Sequence, residues 1–299
     1  MPPSLLRARL LILGAAFFWS LGGLGIKTCG FGAMQTSGMR CLFAAMALFL
    51  ILPEARRHWS WKALAVAGMN CASMVLFVIA NKTTTAANAI FLQSSFPLWV
   101  MVFSAALLQE KPTRRDYGMT IVFAAGLACF FFSPEKATAL SPKILLGNAI
   151  ALLSGLTVAL MIIGFRSLRQ GGAVTAVAMG NSLAAAICLP AAALGLGGEW
   201  IAGTPLDWFT AAWLGVIQIG GGYLLYTRGL RTLRAMEASL IGLIEPVLNP
   251  IWVFLVFQSE RPGPWALVGG AIILAATAAQ VLNKAPAPQN TLETERNPK

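Results

Sequence analysis

Residues 82–89, Lys82-Thr-Thr-Thr-Ala-Ala-Asn-Ala89, are answered by residues 231–238, Arg231-Thr-Leu-Arg-Ala-Met-Glu-Ala238. The spacing from the basic residue to Ala86 and Ala89 recurs at Ala235 and Ala238, and Pro97 and Pro246 each stand eight residues after the second alanine. Farther on, Glu110-Lys-Pro112 is matched by Glu260-Arg-Pro262 after one inserted residue. The identities are few, but their order and spacing agree. The second half of the chain therefore reads as a copy of the first.

The surroundings say what kind of unit was copied. Of 299 residues, 57% are hydrophobic and 11% charged, and the mean hydropathy is +0.72. A water-soluble domain needs about a quarter of its residues charged, so an ordinary soluble enzyme, a disordered chain and a disulfide scaffold are all excluded. A hydrocarbon core about 30 Å thick takes roughly 20 apolar residues of helix to cross. Measured this way, the chain divides into ten runs, at 9–28, 33–53, 61–81, 86–109, 116–133, 144–165, 173–197, 207–227, 235–258 and 264–283. Their unequal lengths lead us to expect tilt or interruption in some. The first run is long for a signal-peptide core, and no soluble mature domain follows it, so it reads as a retained helix. The polar, proline-containing stretch 284–299 reads as a disordered tail.

The net charge of +11 follows from topology. With the N-terminus in the cytoplasm, 16 of the 22 basic residues fall on the inner side. Lys27, Lys82, Lys136, Lys143 and Arg261 fall outside, and Arg40 lies within a run. The positive-inside rule therefore selects ten spans with both termini inside. The basic residues mark helix ends and imply no nucleic-acid partner. The fold class is an all-α polytopic membrane protein, with a first five-helix repeat over 1–138 and a second over 139–283. Five is odd, so the two copies must lie in opposite orientations across the bilayer. Inverted repeats of this kind support alternating access to a site near the midplane.

The elements Ala86-x-Asn88-Ala89, Pro97 and Glu110-Lys-Pro112 resemble the first-half signature of the drug/metabolite transporter superfamily. The stretch Tyr223 to Pro250 (YLLYTRGLRTLRAMEASLIGLIEPVLNP), with the SERP motif ending at Pro262, resembles its second-half counterpart. The resemblance covers essentially the whole chain as two tandem EamA-type units. It implies a multi-pass protein of a bacterial inner membrane that exports amino acids, metabolites or toxic compounds. In size and pattern the chain is similar to bacterial amino-acid exporters, including the aromatic amino-acid branch. The motifs identify the superfamily well and the substrate poorly.

A polar group inside a span is costly unless it faces protein or water, and this marks the candidate substrate-binding residues. Glu245 stands out as the acid well inside a run. Gly242, Glu245, Pro246 and Asn249 share a helix face by their spacing. Pro246 and Pro250 cannot bond the preceding turn, which can free carbonyls beside that face. The equivalent face of run four carries Gln93, Phe96, Pro97 and Val100, with no second carboxylate. Asn70 and Gln218 lie near the middle of their runs, where they could bind substrate or bond a neighbouring helix. Gly220, Gly221 and Gly222, followed by Tyr223, permit close helix approach or local unwinding. Trp19 is placed mid-run, as a cavity or packing residue, whereas Trp59, Trp61, Trp200, Trp208 and Trp265 sit at run ends, as an interfacial belt does. Arg40 could pair with Glu245.

Other chemistries find little support. The one histidine, His58, lies in a basic connection, and the five cysteines show no metal spacing. No nucleophile elbow or phosphate-binding loop is present, so no catalytic residues, metal or cofactor are expected. The driving force should be an ion gradient, protons being one candidate, or the substrate's own gradient. The partners expected are the bilayer and a small molecule, neutral or zwitterionic, with amino acids favoured. The rival reading is a lipophilic cation or drug with Glu245 as its counter-charge.

Overall fold

The computed structural model describes residues 5–107, 114–132, 136–166, 168, 172–198, 200–230, 232, 241–242 and 244–282. The Glu110-Lys-Pro112 motif, residues 233–238 of the second repeated segment with Arg231, and the tail lie outside the described residues. Within them the chain is all helical, apart from one isolated bridge between Thr138 and Ser141. Six helical stretches are long and apolar enough to cross a membrane, and shorter apolar helices cover Tyr117–Phe131, Ile244–Val256 and Pro264–Ala276.

Helices α1 (Leu5–Ser20) and α2 (Gly22–Thr28) meet at Leu21 and together form the first run. Then follow α3 (Ala33–Ile51) and α4 (Trp61–Thr83), the latter capped by the Ser60 hydroxyl, which accepts from the Ala63 N–H at 3.1 Å. The fourth run is interrupted as α5 (Ala86–Gln93) and α6 (Phe96–Leu107). Ser94 and Ser95 turn their hydroxyls back onto the Ile90 and Leu92 carbonyls, offering the last turn of α5 an alternative to continued helix. Helices α7 (Arg114–Phe132), α8 (Ile144–Arg166) and α9 (Gly172–Ala193) come next. Run eight is composite: α10 (Pro205–Trp213) opens with a Thr204/Asp207 capping box and leads into a π-helix, Leu214–Gly221, and then into α11 (Gly222–Leu230). The last two helices are α12 (Ile244–Val256) and α13 (Pro264–Leu282).

Polarity is turned inside out, as a lipid solvent requires. Leu50, Ile121, Leu194 and Leu255 project outward, while Ser20, Asn70, Asn148, Asn181 and Asn249 are buried. With lipid tails as apolar as leucine, helices gain from close approach and internal hydrogen bonds. Glycine provides that approach: a Cβ at Gly180 on α9 would lie 2.4 Å from Asn70 Oδ1 and 2.7 Å from the Ala67 carbonyl of α4. A Cβ at Gly215 on the π-helix would lie 2.4 Å from the Arg40 carbonyl of α3. The tryptophans assigned to run ends, Trp59, Trp61, Trp200, Trp208 and Trp265, are all exposed.

Packing joins the two halves of the chain repeatedly. Helix α4 lies on α8 and α9, α3 on α9 and the π-helix, and α1 on α11 and α12. Helices α5 and α6 lie on α8, α5 on α12, and α7 on α13.

Candidate functional site

The residues singled out from the sequence fall into two groups. The first is built on α1, the π-helix, α11 and α12. Trp19, one residue before the end of α1, meets two tyrosines of α11: its ring centroid is 5.4 Å from that of Tyr223 and 5.2 Å from that of Tyr226. Gly222, buried beside Tyr223, makes room for the indole, since a Cβ there would stand 2.2 Å from Trp19 Nε1. The Gln218 amide of the π-helix donates to the Trp19 carbonyl at 3.4 Å, at the α1–α2 junction, while its own oxygen is buried without a partner. π-helical turns occur often at functional sites because they offset the helix register.

Helix α12 supplies the carboxylate. Glu245 lies in its first turn, half-buried, with its carboxylate within electrostatic reach of the Tyr223 and Tyr226 hydroxyls. No hydrogen bond or ion pair engages it among the described residues. The expected pairing with Arg40 does not form: the Arg40 guanidinium donates to the Met74 carbonyl at 3.3 Å on another helix pair and is 1% exposed. Pro246 and Asn249 are buried on α12. Asn249 Oδ1 points to Gly23, where a Cβ would be 2.3 Å away, and neither amide atom finds a partner. One turn farther, Trp252 Nε1 donates to the Ser20 hydroxyl at 3.0 Å. A carboxylate with no partner among the described residues thus lies within electrostatic reach of two tyrosines that pack on Trp19, and the orphan amides of Gln218 and Asn249 lie against the α1–α2 junction. Such a set can hold an ammonium group, which draws on both the carboxylate and the ring faces.

The second group is separate. Gln93, at the end of α5, donates to the Ser154 hydroxyl of α8 at 2.7 Å, and Ser154 donates to the Ser73 carbonyl of α4 at 3.3 Å. Asn70 of α4 donates to the Met161 sulfur of α8 at 3.4 Å and leaves its oxygen unpartnered. Because the helix breaks between Gln93 and Phe96, the face expected to carry Gln93, Phe96, Pro97 and Val100 is not continuous. Pro97 falls in α6, but its side chain lies outside the described residues.

Sequence reasoning did not single out Tyr226 or Ser154, and it left open which way Trp252 faces. Tyr226 had a signal, standing three residues from Tyr223 and so on the same helix face. Ser154 had none, because its partners come from two other helices. All five cysteines are free and buried, and among the described residues no group of three or more His, Cys, Asp or Glu could hold a metal ion.

Apolar helices long enough to span, folded around a polar interior, define a multi-pass membrane protein. The EamA-like transporter family model matches the chain twice, over residues 6–132 and 145–281, and the chain belongs to that family. It is 24% identical over 298 residues to the uncharacterised transporter YwfM of Bacillus subtilis (strain 168), covering 95% of this chain and 96% of that protein. It is also 24% identical over 201 residues to the uncharacterised transporter YcxC of the same organism, covering 64% and 62% respectively. A solved crystal structure, described only as that of a protein, superposes with a TM-score of 0.59 over 92% of this chain and 96% of its own, at 16% identity. That likeness speaks to the fold alone.

Proposed function

We propose that the protein is a secondary exporter of small amino-group-bearing metabolites, amino acids and aromatic ones foremost, working by alternating access in a bacterial inner membrane. The observation that carries this reading is the Glu245 carboxylate, without an ionic partner among the described residues and within electrostatic reach of Tyr223 and Tyr226, on whose rings Trp19 packs. A buried permanent ion pair would leave no place for a cationic group; an unpaired acid among rings gives one to the substrate's ammonium. The apolar rings suit an apolar side chain on the same molecule.

Alternating access rests on two inverted five-helix repeats, at 1–138 and 139–283. Support comes from the pattern of helix packing. When each run is exchanged for the one five places along, α4 on α8 becomes α11 on α1, and α4 on α9 becomes the π-helix on α3. In the same exchange α5 and α6 on α8 become α12 on α1. The pairs α3 with α9, α5 with α12 and α7 with α13 exchange into themselves. A two-fold axis through a duplicated chain produces this pattern.

Purified protein in liposomes should exchange labelled amino acids against unlabelled ones, and Glu245→Gln should abolish most of that exchange. Transport of another metabolite with none of any amino acid would refute the substrate class. Wild-type flux and pH dependence in Glu245→Gln would make the carboxylate structural. A second reading has the same residue in its favour: Glu245 could neutralise a lipophilic cation. Inhibition by such cations, with none by amino acids, would select it.

A further inference from the structure

Lys27, assigned from the sequence to an outer helix end, is not a solvated charge. It is 5% exposed and forms an ion pair of 3.1 Å with Glu260, itself 2% exposed. Lys27 Nζ also donates to the Thr84 carbonyl at 2.9 Å, the Leu140 carbonyl at 2.6 Å and the Ser141 hydroxyl at 2.8 Å. On the other side, Glu260 Oε1 accepts from the Ser141 hydroxyl at 2.5 Å, and Oε2 accepts from the Ala86 N–H at 3.1 Å. One carboxylate thus ties the end of α2, the α4–α5 turn, the connection before α8 and the short 3₁₀ turn after α12. Helix α12, which carries Glu245, ends four residues before Glu260.

We infer that Lys27 and Glu260 are positioning residues that hold the outer end of the transport path shut, and that opening toward the outside requires this pair to part. The inference rests on the alternating-access reading above. A buried ion pair is a poor permanent staple, because apolar packing at the same place is often as stable or more so. It is a good reversible one: each ion regains its hydration when the end opens, so a small free-energy difference separates closed from open. The elements it joins are those that would have to separate. Lys27 and the α4–α5 turn belong to the first repeat and Glu260 to the second. Both α5 and α12, the central helices of the two repeats, are anchored through it.

The test is the sidedness of labelling at a reporter cysteine, Gln218→Cys, in protein whose five native cysteines are replaced. A membrane-impermeant maleimide is applied to right-side-out and to inside-out vesicles. Lys27→Met or Glu260→Gln should raise the outside rate about tenfold, because removing one partner leaves the other buried and uncompensated in the closed form. Lys27→Arg should label as the parent does, and the exchanged pair Lys27→Glu with Glu260→Lys should return part of the way. Ser141→Ala keeps both charges and the ion pair but removes two bonds, the one the hydroxyl accepts from Lys27 and the one it donates to Glu260; it is the gentler variant and should give about a threefold rise, in keeping with the modest net worth of a hydrogen bond. Inside labelling comparable to the parent verifies folding, a control that a merely structural loss would fail. Unchanged outside labelling in the folded variants, Ser141→Ala included, of a parent that labels from both sides overturns the latch alone. A parent that labels from one side under every condition overturns alternating access and the latch together.

Discussion

Replacing Gly222 by alanine adds one methyl group at the point where α11 meets Trp19. Its carbon would stand 2.2 Å from Trp19 Nε1, 2.7 Å from Cδ1 and 3.0 Å from Cε2. Non-bonded carbon and nitrogen settle at about 3.5 Å or more, so the indole must retreat by about 1.3 Å. It cannot do so by turning one flexible end, because the ring is rigid and is flanked by Tyr223 and Tyr226 at 5.4 and 5.2 Å. Two effects compete. Alanine in a helix interior is better than glycine by about 1 kcal/mol, whereas overpacking a filled site costs about 1–3 kcal/mol. The collision should win, leaving the variant about 1 kcal/mol less stable, while loss of an aromatic contact worth about 0.5–1.5 kcal/mol should weaken substrate binding about three- to tenfold.

The cycle with Trp19→Ala makes the reasoning refutable. Once the indole is gone, the three atoms nearest to the methyl group go with it and the helix-propensity gain should dominate, so Gly222→Ala should then stabilise by up to about 1 kcal/mol. Unfolding in mixed detergent micelles gives the four stabilities, and exchange in liposomes gives KM. A change of sign between the two backgrounds is expected. Equal effects in both, or a Gly222→Ala variant with wild-type stability and KM, would show that Trp19 is not held as described.

Three further outcomes are expected. Asn249→Leu keeps the volume and removes two buried, unpartnered amide atoms, each costing about 1–3 kcal/mol when left unsatisfied; thermal stability should hold or rise while flux falls, and loss of stability with flux retained would show the amide to be structural. Arg40→Met removes a fully buried guanidinium held by main-chain and sulfur acceptors of Met74, so stability in detergent should be unchanged or higher, as for other buried charges replaced by apolar groups; a large loss would reveal an anionic partner. Gly215→Ala places a carbon 2.4 Å from the Arg40 carbonyl and 2.8 Å from the Ala44 nitrogen, and since backbone cannot step aside the cost should reach about 3 kcal/mol, read as reduced yield of folded protein and a lower melting temperature.

How far the fold could be read from the chain differs from element to element. Helices α3, α4, α8 and α13 begin and end within a few residues of the apolar runs, because each is one unbroken helix whose ends coincide with the change from apolar to polar sequence. The breaks at Leu21 and at Ser94–Ser95 were not legible, since both sit inside runs whose mean hydropathy is undisturbed. The π-helix had one partial sign in Gly220, Gly221 and Gly222, residues that leave the backbone free to shift register. The partner of Lys27 was not legible for another reason. Position along the chain located it at an outer end, but its partner Glu260 is 233 residues away, and only the folded structure brings the two together. Glu245 was legible because its cost is local: an acid in a run of Ile, Leu, Val and Pro demands an explanation wherever its neighbours fall. Asn70 and Gln93 carried the same kind of signal; their amide nitrogens donate to Met161 and Ser154, while Asn70 Oδ1 is left without a partner.

The charges inside the molecule can be sorted by what neutralises them. Lys27 and Glu260 neutralise one another, and Lys82 donates to the Cys29 carbonyl. Arg40 rests on acceptors of Met74. The Lys27–Glu260 pair is complete within the protein, whereas Arg40 Nε is buried without a partner. Glu245 differs, since among the described residues no cation or donor meets it, although burial makes an unpaired carboxylate costly. Duplication sharpens the contrast. Pro97 corresponds to Pro246, so the position equivalent to Glu245 in the first half is Phe96. A carboxylate required by the architecture would be expected in both copies; this one stands in a single copy, at the start of α12 within electrostatic reach of Tyr223 and Tyr226, and no partner meets it among the described residues. On the export reading proposed above, a cationic group that arrives and leaves would meet that need, and the flux and pH dependence of Glu245→Gln separate that role from packing.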